Sequence, residues 1–280
     1  MLTNELWHLR QQAHHFILNA NRSCTPQEIA RHLFGPQRHE DPVAQLVVRN
    51  ILDGDPAVCR GHDARWIAFD APFLEHPLNE LRHVVVDLET TGSLIGVDRI
   101  IEVGIAVLEG GRITQRFSSL THSSRPVSGR IRRLTGIRSS DLDGAPAFGE
   151  VAPIIMDMLR GADSFVAHDV RFDLNFLGWE LARHGHVMPE LPGLCTLRLA
   201  QQLWPDHDGW RLQDLAGSFA VTHDRPHRAG EDALATAGVL AHALEQAVVS
   251  GAAVFGDLYR LTSFLEDTDH DGDEMAARAG

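Results

Sequence analysis

Residues 84–89 read Val-Val-Val-Asp-Leu-Glu, an apolar run that ends in two carboxylates two positions apart. Strand side chains at that separation share a face, so Asp87 and Glu89 stand side by side at a strand end, against a hydrophobic interior. Two such carboxylates repel each other and are costly to desolvate. A hard divalent cation with a preference for oxygen, Mg2+ or Mn2+, removes both penalties. A solvated strand end would carry the same pair with no ion, and Asp-x-Glu taken alone favours that plainer explanation. The next residues, Thr90-Thr91-Gly92, add a small polar loop whose backbone N–H groups could meet a phosphate or sugar, although Thr and Gly suit any turn.

Two further stretches carry usable groups. In Val166-Ala167-His168-Asp169-Val170-Arg171-Phe172-Asp173 a strand runs out at His168 and a helix begins near Arg171. Asp173 then falls in the helix's first turn, where the dipole favours a carboxylate with or without a ligand. Phe172, Phe176 and Leu177 follow helical spacing and read as core. In His227-Arg228-Ala229-Gly230-Glu231-Asp232 a loop histidine precedes a strongly apolar helix whose first turn holds Asp232. An imidazole with a pKa near neutrality suits a general base, yet the chain has 17 histidines and a lone His-x4-Asp is weak.

The elements that must position these groups follow from pattern. Strands are predicted over 82–89, 99–108 and 112–120, with Glu109-Gly110-Gly111 as a hairpin turn, and a short strand over 162–168. Helices are predicted near 147–160, 171–184, 196–203, 212–219 and 231–249. This order predicts a mixed sheet covered by helices, over residues 82–250. The first 70 residues read as three helices and a hairpin. Thr25-Pro26-Gln27-Glu28 forms a capping box with Gly35 as the stop, and Asp41-Pro42 opens a helix whose apolar face is Val43, Leu46, Val47 and Ile51. The hairpin turns at Gly61-His62-Asp63. That set suggests a small winged-helix-like domain, either a DNA-duplex reader or a protein-contact module. The segment's Arg do not outnumber its Asp and Glu, whereas a DNA reader is usually basic. Residues 71–81, with two prolines, read as a linker. Residues 251–280 read as a C-terminal helix and an acidic tail. Asp267, Asp269, Asp271 and Gly272 mimic an EF-hand start, but Arg278 stands where the bidentate Glu is needed.

Composition bounds the rest. The 280 residues carry 25 basic and 38 acidic side chains, a net charge of −13, and every basic one is Arg. Such a chain does not coat nucleic acid non-specifically, although an enzyme can still grip an end through metal ions. Cys24, Cys59 and Cys195 are few, widely spaced and without a CxxC, as expected of buried free thiols in a reducing compartment. Neither a signal peptide nor a membrane span is evident, so a soluble cytoplasmic protein with no membrane partner is expected.

Taken jointly and in order, Asp87-x-Glu89, Asp173 and His227-x4-Asp232 are specific. The chain resembles the DEDDh family of 3′–5′ exonucleases in the ribonuclease H-like superfamily, which includes the proofreading epsilon subunit of bacterial DNA polymerase III. Leu134-Thr135-Gly136-Ile137, Gly144 to Phe148 and Cys195 to Ala200 look like further landmarks of that family. The resemblance covers roughly residues 82–245. It implies an α/β, ribonuclease H-like mixed sheet flanked by helices and a two-cation site for Mg2+ or Mn2+. Asp87, Glu89 and Asp232 would hold one ion, and Asp87, with Asp173 acting through water, the other. His227 would be the general base. Glu89 and Thr90 would locate the 3′ end of single-stranded DNA or RNA, with Thr135 and His168 lining the same cleft. A polymerase partner is implied by kinship only. The competing class is an end-binding or recruitment module without catalysis. Two positions depart from the family pattern: Asp169 replaces the usual Asn, and Ser93 stands where a large apolar residue is frequent. Arg112, Arg116, Arg125, Arg130, Arg132, Arg133 and Arg138 form an island without acids over 110–140, where the family lines its substrate groove.

Overall fold

The computed structural model describes residues 2–38, 40–52, 58–60, 65–68, 72–189 and 191–263. The first elements are helices α1 (Leu2–Ala20), α2 (Pro26–Phe34) and α3 (Pro42–Leu52), then strands β1 (Val58–Arg60) and β2 (Trp66–Ala68), which pair antiparallel. The capping box forms as the sequence predicts. Thr25 Oγ1 accepts the Glu28 N–H at 3.2 Å, and the Thr25 N–H donates to Glu28 Oε2 at 2.7 Å. Gly35 ends the helix at φ +92°. The α3 face differs from expectation. Ala44, Val48, Ile51 and Leu52 are buried, whereas Val43 and Leu46 are exposed. Apolar residues nearly encircle this helix, so periodicity alone cannot choose its inner face, and small Ala44 permits close approach. The predicted Gly61-His62-Asp63 turn, the side chain of Cys59 and the acidic tail lie outside the described residues.

The expected linker is structured over most of its length. Two 3-10 turns, Pro72–Glu75 and Leu78–Glu80, bury Leu74, Leu78 and Leu81. These leucines share a core with Ile67 of β2, so the N-terminal unit is docked on the rest.

The main sheet has five strands: β3 (Arg82–Thr90), β4 (Ile100–Glu109), β5 (Arg112–Leu120), β6 (Ser164–Ala167) and β7 (Gly193–Cys195). Their spatial order is β5-β4-β3-β6-β7. The first three form an antiparallel meander, and β6 and β7 add parallel to β3. Strand β7 escapes sequence reading because three residues are too few to show a period. Helices α4 (Gly129–Thr135) and α5 (Ser139–Leu142) follow β5, and α6 (Phe148–Leu159) precedes β6. Then come α7 (Val170–Arg183), α8 (Thr196–Leu203), α9 (Leu212–Ser218), α10 (Ala229–Val249) and α11 (Phe255–Ser263).

Alternation divides β3 between two cores. Val84, Val86 and Leu88 join α6 and α7 through Val151, Ile155, Phe176 and Leu177. Val85 faces the other way, with Ala106, and meets α10 and α11 through Ala237, Leu240, Phe255 and Tyr259. Each fully buried side chain of this size contributes about 1.5–3 kcal/mol by leaving water. Asp87 and Glu89 continue the Val85 face, and α10 runs on that face. Among the described residues no helix is long and apolar enough to cross a membrane.

Candidate active site

Asp87 and Glu89 emerge on β3 as predicted, and both are buried. Their cross-strand partners on β4 are Gly104 and Glu102. Gly104 is what allows α10 to reach them. A Cβ built there would lie 1.8 Å from the Ala229 carbonyl oxygen and 2.5 Å from the Gly230 nitrogen. The start of α10 therefore rests directly on strand backbone opposite Asp87.

Glu102 then fixes the helix start. Its carboxylate accepts Arg228 Nε at 3.0 Å and Nη2 at 2.9 Å, a bidentate fork, and the Ala229 N–H at 3.1 Å. This pairing raises the Arg228 pKa above its ordinary value. Sequence reading missed Glu102, although a carboxylate inside the apolar run Ile100 to Leu108 is itself a signal that a partner must arrive.

The result is a tight trio. Glu89, His227 and Asp232 each bring one ligand-capable atom to within 4.8 Å of the others. Burial pushes Asp232 above the usual carboxylate range, against the lowering pull of His223 beside it. His223 Nε2–H donates to Asp232 Oδ1 at 2.5 Å, and the His227 backbone N–H donates to Oδ2 at 3.0 Å. His227 sits in the left-handed region at φ +62°. His223 was also missed, and the signal was its place four residues before His227.

The other predicted groups divide. Asp87 shares the strand and face of Glu89 without belonging to the tight trio. Asp173 is buried in the first turn of α7, the helix on the opposite face of the sheet. Thr90 Oγ1 donates to the Gly92 carbonyl at 2.6 Å. Thr135 Oγ1 donates to the Ile131 carbonyl and accepts the Ile137 N–H, both at 3.0 Å, which ends α4. The ring nitrogens of His168 meet Thr196 Oγ1 at 3.0 Å and the Trp210 carbonyl at 2.9 Å, so this ring holds the scaffold. Burial pushes the Cys195 thiol up to about 11, as expected of an inert core cysteine.

The loop after β3 is built around Asp98. Asp98 Oδ1 accepts Thr91 Oγ1–H and its Oδ2 accepts the Leu94 N–H, each at 3.0 Å, while Arg125 Nε approaches Oδ1 at 2.8 Å. Leu94, one step past Ser93, is 62% exposed on this loop.

This constellation has relatives. Residues 84–240 match the family model described as Exonuclease (RNase_T). The chain is 35% identical over 195 residues to the 3′-5′ exonuclease DinG of Bacillus subtilis (strain 168), covering 69% of this chain and 21% of that one. It is 33% identical over 163 residues to DNA polymerase III subunit epsilon of Aquifex aeolicus (strain VF5), covering 58% of this chain and 80% of that one. Among solved structures, E. coli Exonuclease I in complex with a dT13 oligonucleotide shares the fold, with a TM-score of 0.52 at 16% identity over 58% of this chain and 41% of that one. The chain belongs to the DEDDh-type exonuclease family.

Proposed function

We propose that this chain is a metal-dependent 3′–5′ exonuclease that trims single-stranded nucleic acid to nucleoside 5′-monophosphates. The observation that carries the reading is the trio of Glu89, His227 and Asp232, its two carboxylates buried, with Asp87 on the same strand face as Glu89. Buried carboxylate oxygens beside one imidazole suit hard divalent cations such as Mg2+ or Mn2+. Asp87, Glu89 and Asp232 would hold one ion, and Asp87, with Asp173 acting through water from the start of α7, a second. When bound, such ions neutralise the carboxylates and stabilise charge on the phosphodiester oxygens.

His227 accepts the proton of the attacking water. The water oxygen bonds to phosphorus, the bond from phosphorus to the preceding O3′ breaks, and that O3′ takes up a proton as it leaves. Backbone groups at Glu89 and Thr90 locate the 3′ end, and Leu94 offers apolar surface to the last base. DNA is favoured over RNA because a relative of which this chain spans 80% is a DNA polymerase subunit. Association with a polymerase rests on the same kinship. The N-terminal unit reads as winged-helix-like. Its α3 presents Val43 and Leu46 with Arg49 as the one basic side chain of the helix, which favours a protein contact over duplex reading.

The test uses end-labelled DNA and RNA, digested side by side with Mg2+ or Mn2+. Wild-type protein should release mononucleotides from the 3′ end, and Asp87→Ala should lower release at least 1000-fold. Full activity in Asp87→Ala overturns the assignment. Wild-type binding to ends with no metal-dependent release would favour a recruitment module instead.

A further inference from the structure

His223 is an imidazole that neither the family pattern nor the mechanism above employs. Its side chain is 6% exposed, and that of Asp232 is 10% exposed. Nε2–H of His223 holds one oxygen of the Asp232 carboxylate, and the His227 backbone N–H holds the other. Both donors belong to one short segment, residues 223–228, whose far end is tied to the sheet by the fork from Arg228 to Glu102. The segment is thus closed at two points, and between them lies His227, at a backbone angle that a side-chain-bearing residue rarely adopts.

We propose that His223 is a positioning residue of this site: its ring sets the rotation of the Asp232 carboxylate and fastens the segment that presents His227. The inference rests on reading Asp232 as a cation ligand. A ligating carboxylate has two oxygens and a free rotation about its terminal bond, so an ion must order it on binding unless something else already has. A buried N–H aimed at one oxygen does that ordering in advance. Outer groups of this kind are worth about 10–100-fold in metal affinity or activity. His223 is no alternative general base, because its Nε2 is committed to Asp232, while the His227 ring belongs to the trio with Glu89.

The test uses the full chain in four forms: wild type, His223→Ala, His223→Gln and Asp232→Asn. Gln can place an amide N–H near the position of Nε2, so it keeps the contact without an imidazole. Calorimetric titration with Mn2+ alone reads the site independently of activity, and steady-state kinetics on a single-stranded oligonucleotide read the rest. His223→Ala should bind Mn2+ about 10–100-fold more weakly and lose a comparable factor in kcat at saturating Mn2+, with KM for the oligonucleotide within about twofold. His223→Gln should recover at least half of the lost logarithm in both.

Wild-type-like Mn2+ affinity and kcat in His223→Ala would overturn the assignment of His223 alone. So would a His223→Gln as impaired as the alanine. If His223→Ala fails to fold, His223→Gln decides. Values within about threefold of wild type sustain the proposal, and tenfold losses in a folded protein overturn it. Wild-type protein whose Mn2+ titration is unchanged by Asp232→Asn overturns the cation-site reading itself, and the two failures are thereby told apart.

Discussion

At the scale of single residues, histidine takes opposite roles according to what surrounds it. His227 is half-buried on a loop, with one ring nitrogen within 4.8 Å of a carboxylate oxygen of Glu89 and of Asp232. His83 sits at the start of β3, 1% exposed, with Nδ1 2.7 Å from Ser164 Oγ and no hydrogen-bond partner for Nε2 among the described residues. Burial holds its pKa down at about 4, despite an opposing pull from Asp163. The folded protein therefore keeps His83 neutral where the unfolded chain takes up a proton, at about pH 6.5. The sign follows: stability is full above pH 6.5, falls as pH drops from there to about 4, and levels off below. The loss from this one ring reaches about 3 kcal/mol. His83→Asn, which can keep a contact with Ser164 but does not titrate, should flatten that slope. Urea denaturation of both proteins at pH 7.5 and 4.5 measures it. A difference between the two pH values that is equal in wild type and variant would show that another group governs acid stability.

At the scale of elements, the site depends on how closely α10 can approach β4. Gly104 creates that approach, and its replacement by Ala would put a methyl into the backbone of Ala229 and Gly230 rather than against a yielding side chain. The helix start must then lift, and the hydrogen bond from the Ala229 N–H to Glu102 lengthens with it. Gly104→Ala should cost about 1–3 kcal/mol in thermal or urea unfolding, as overpacking does, and lower kcat at least tenfold at a temperature where the variant remains folded. Gly144→Ala, with open space at that position, is the control and should change neither. Much of this arrangement was legible in the sequence. The strand carrying Asp87 and Glu89, the helix starts of Asp173 and Asp232 and the hairpin of β4 and β5 all declare themselves by period and by turn residues. What stayed hidden depends on pairs distant in the chain. Glu102 signals only that some partner must arrive, and Arg228, Gly104 and Ala229 have no local signature, because each looks ordinary until the fold brings it to its partner. Thr135 and His168 show the converse, polar residues whose neighbours a sequence does not show: the Ile131 carbonyl and Ile137 N–H for one, Thr196 and the Trp210 carbonyl for the other.

At the scale of the whole molecule, the charge is distributed against its own average. A chain of net charge −13 repels a polyanion, so an enzyme of this composition needs a local field of the opposite sign. The Arg island over 110–140, which holds no Asp or Glu, is the candidate source of one. Helix α4 packs through Ile131 against Ile101, the residue before Glu102, and Glu102 lies across the strands from Glu89. Arg132 and Arg133 face solvent from that helix, and Arg125 reaches back to Asp98 in the loop after β3. A phosphate steered by this island would meet guanidinium groups before the excess of acids elsewhere. Reversing Arg130, Arg132 and Arg133 together to Glu replaces attraction with repulsion on this flank while leaving the buried Ile131 anchor untouched. KM for single-stranded DNA should rise about tenfold or more at low ionic strength, and kcat should stay within about twofold, since none of the three belongs to the trio. The increase should shrink toward the wild-type value as salt is raised to about 0.3 M, where screening falls well inside 10 Å. An unchanged KM at low salt would show that nucleic acid reaches the site along a different face. A KM increase that persists at high salt would instead mean that α4 had lost its packing on Ile101 rather than its field.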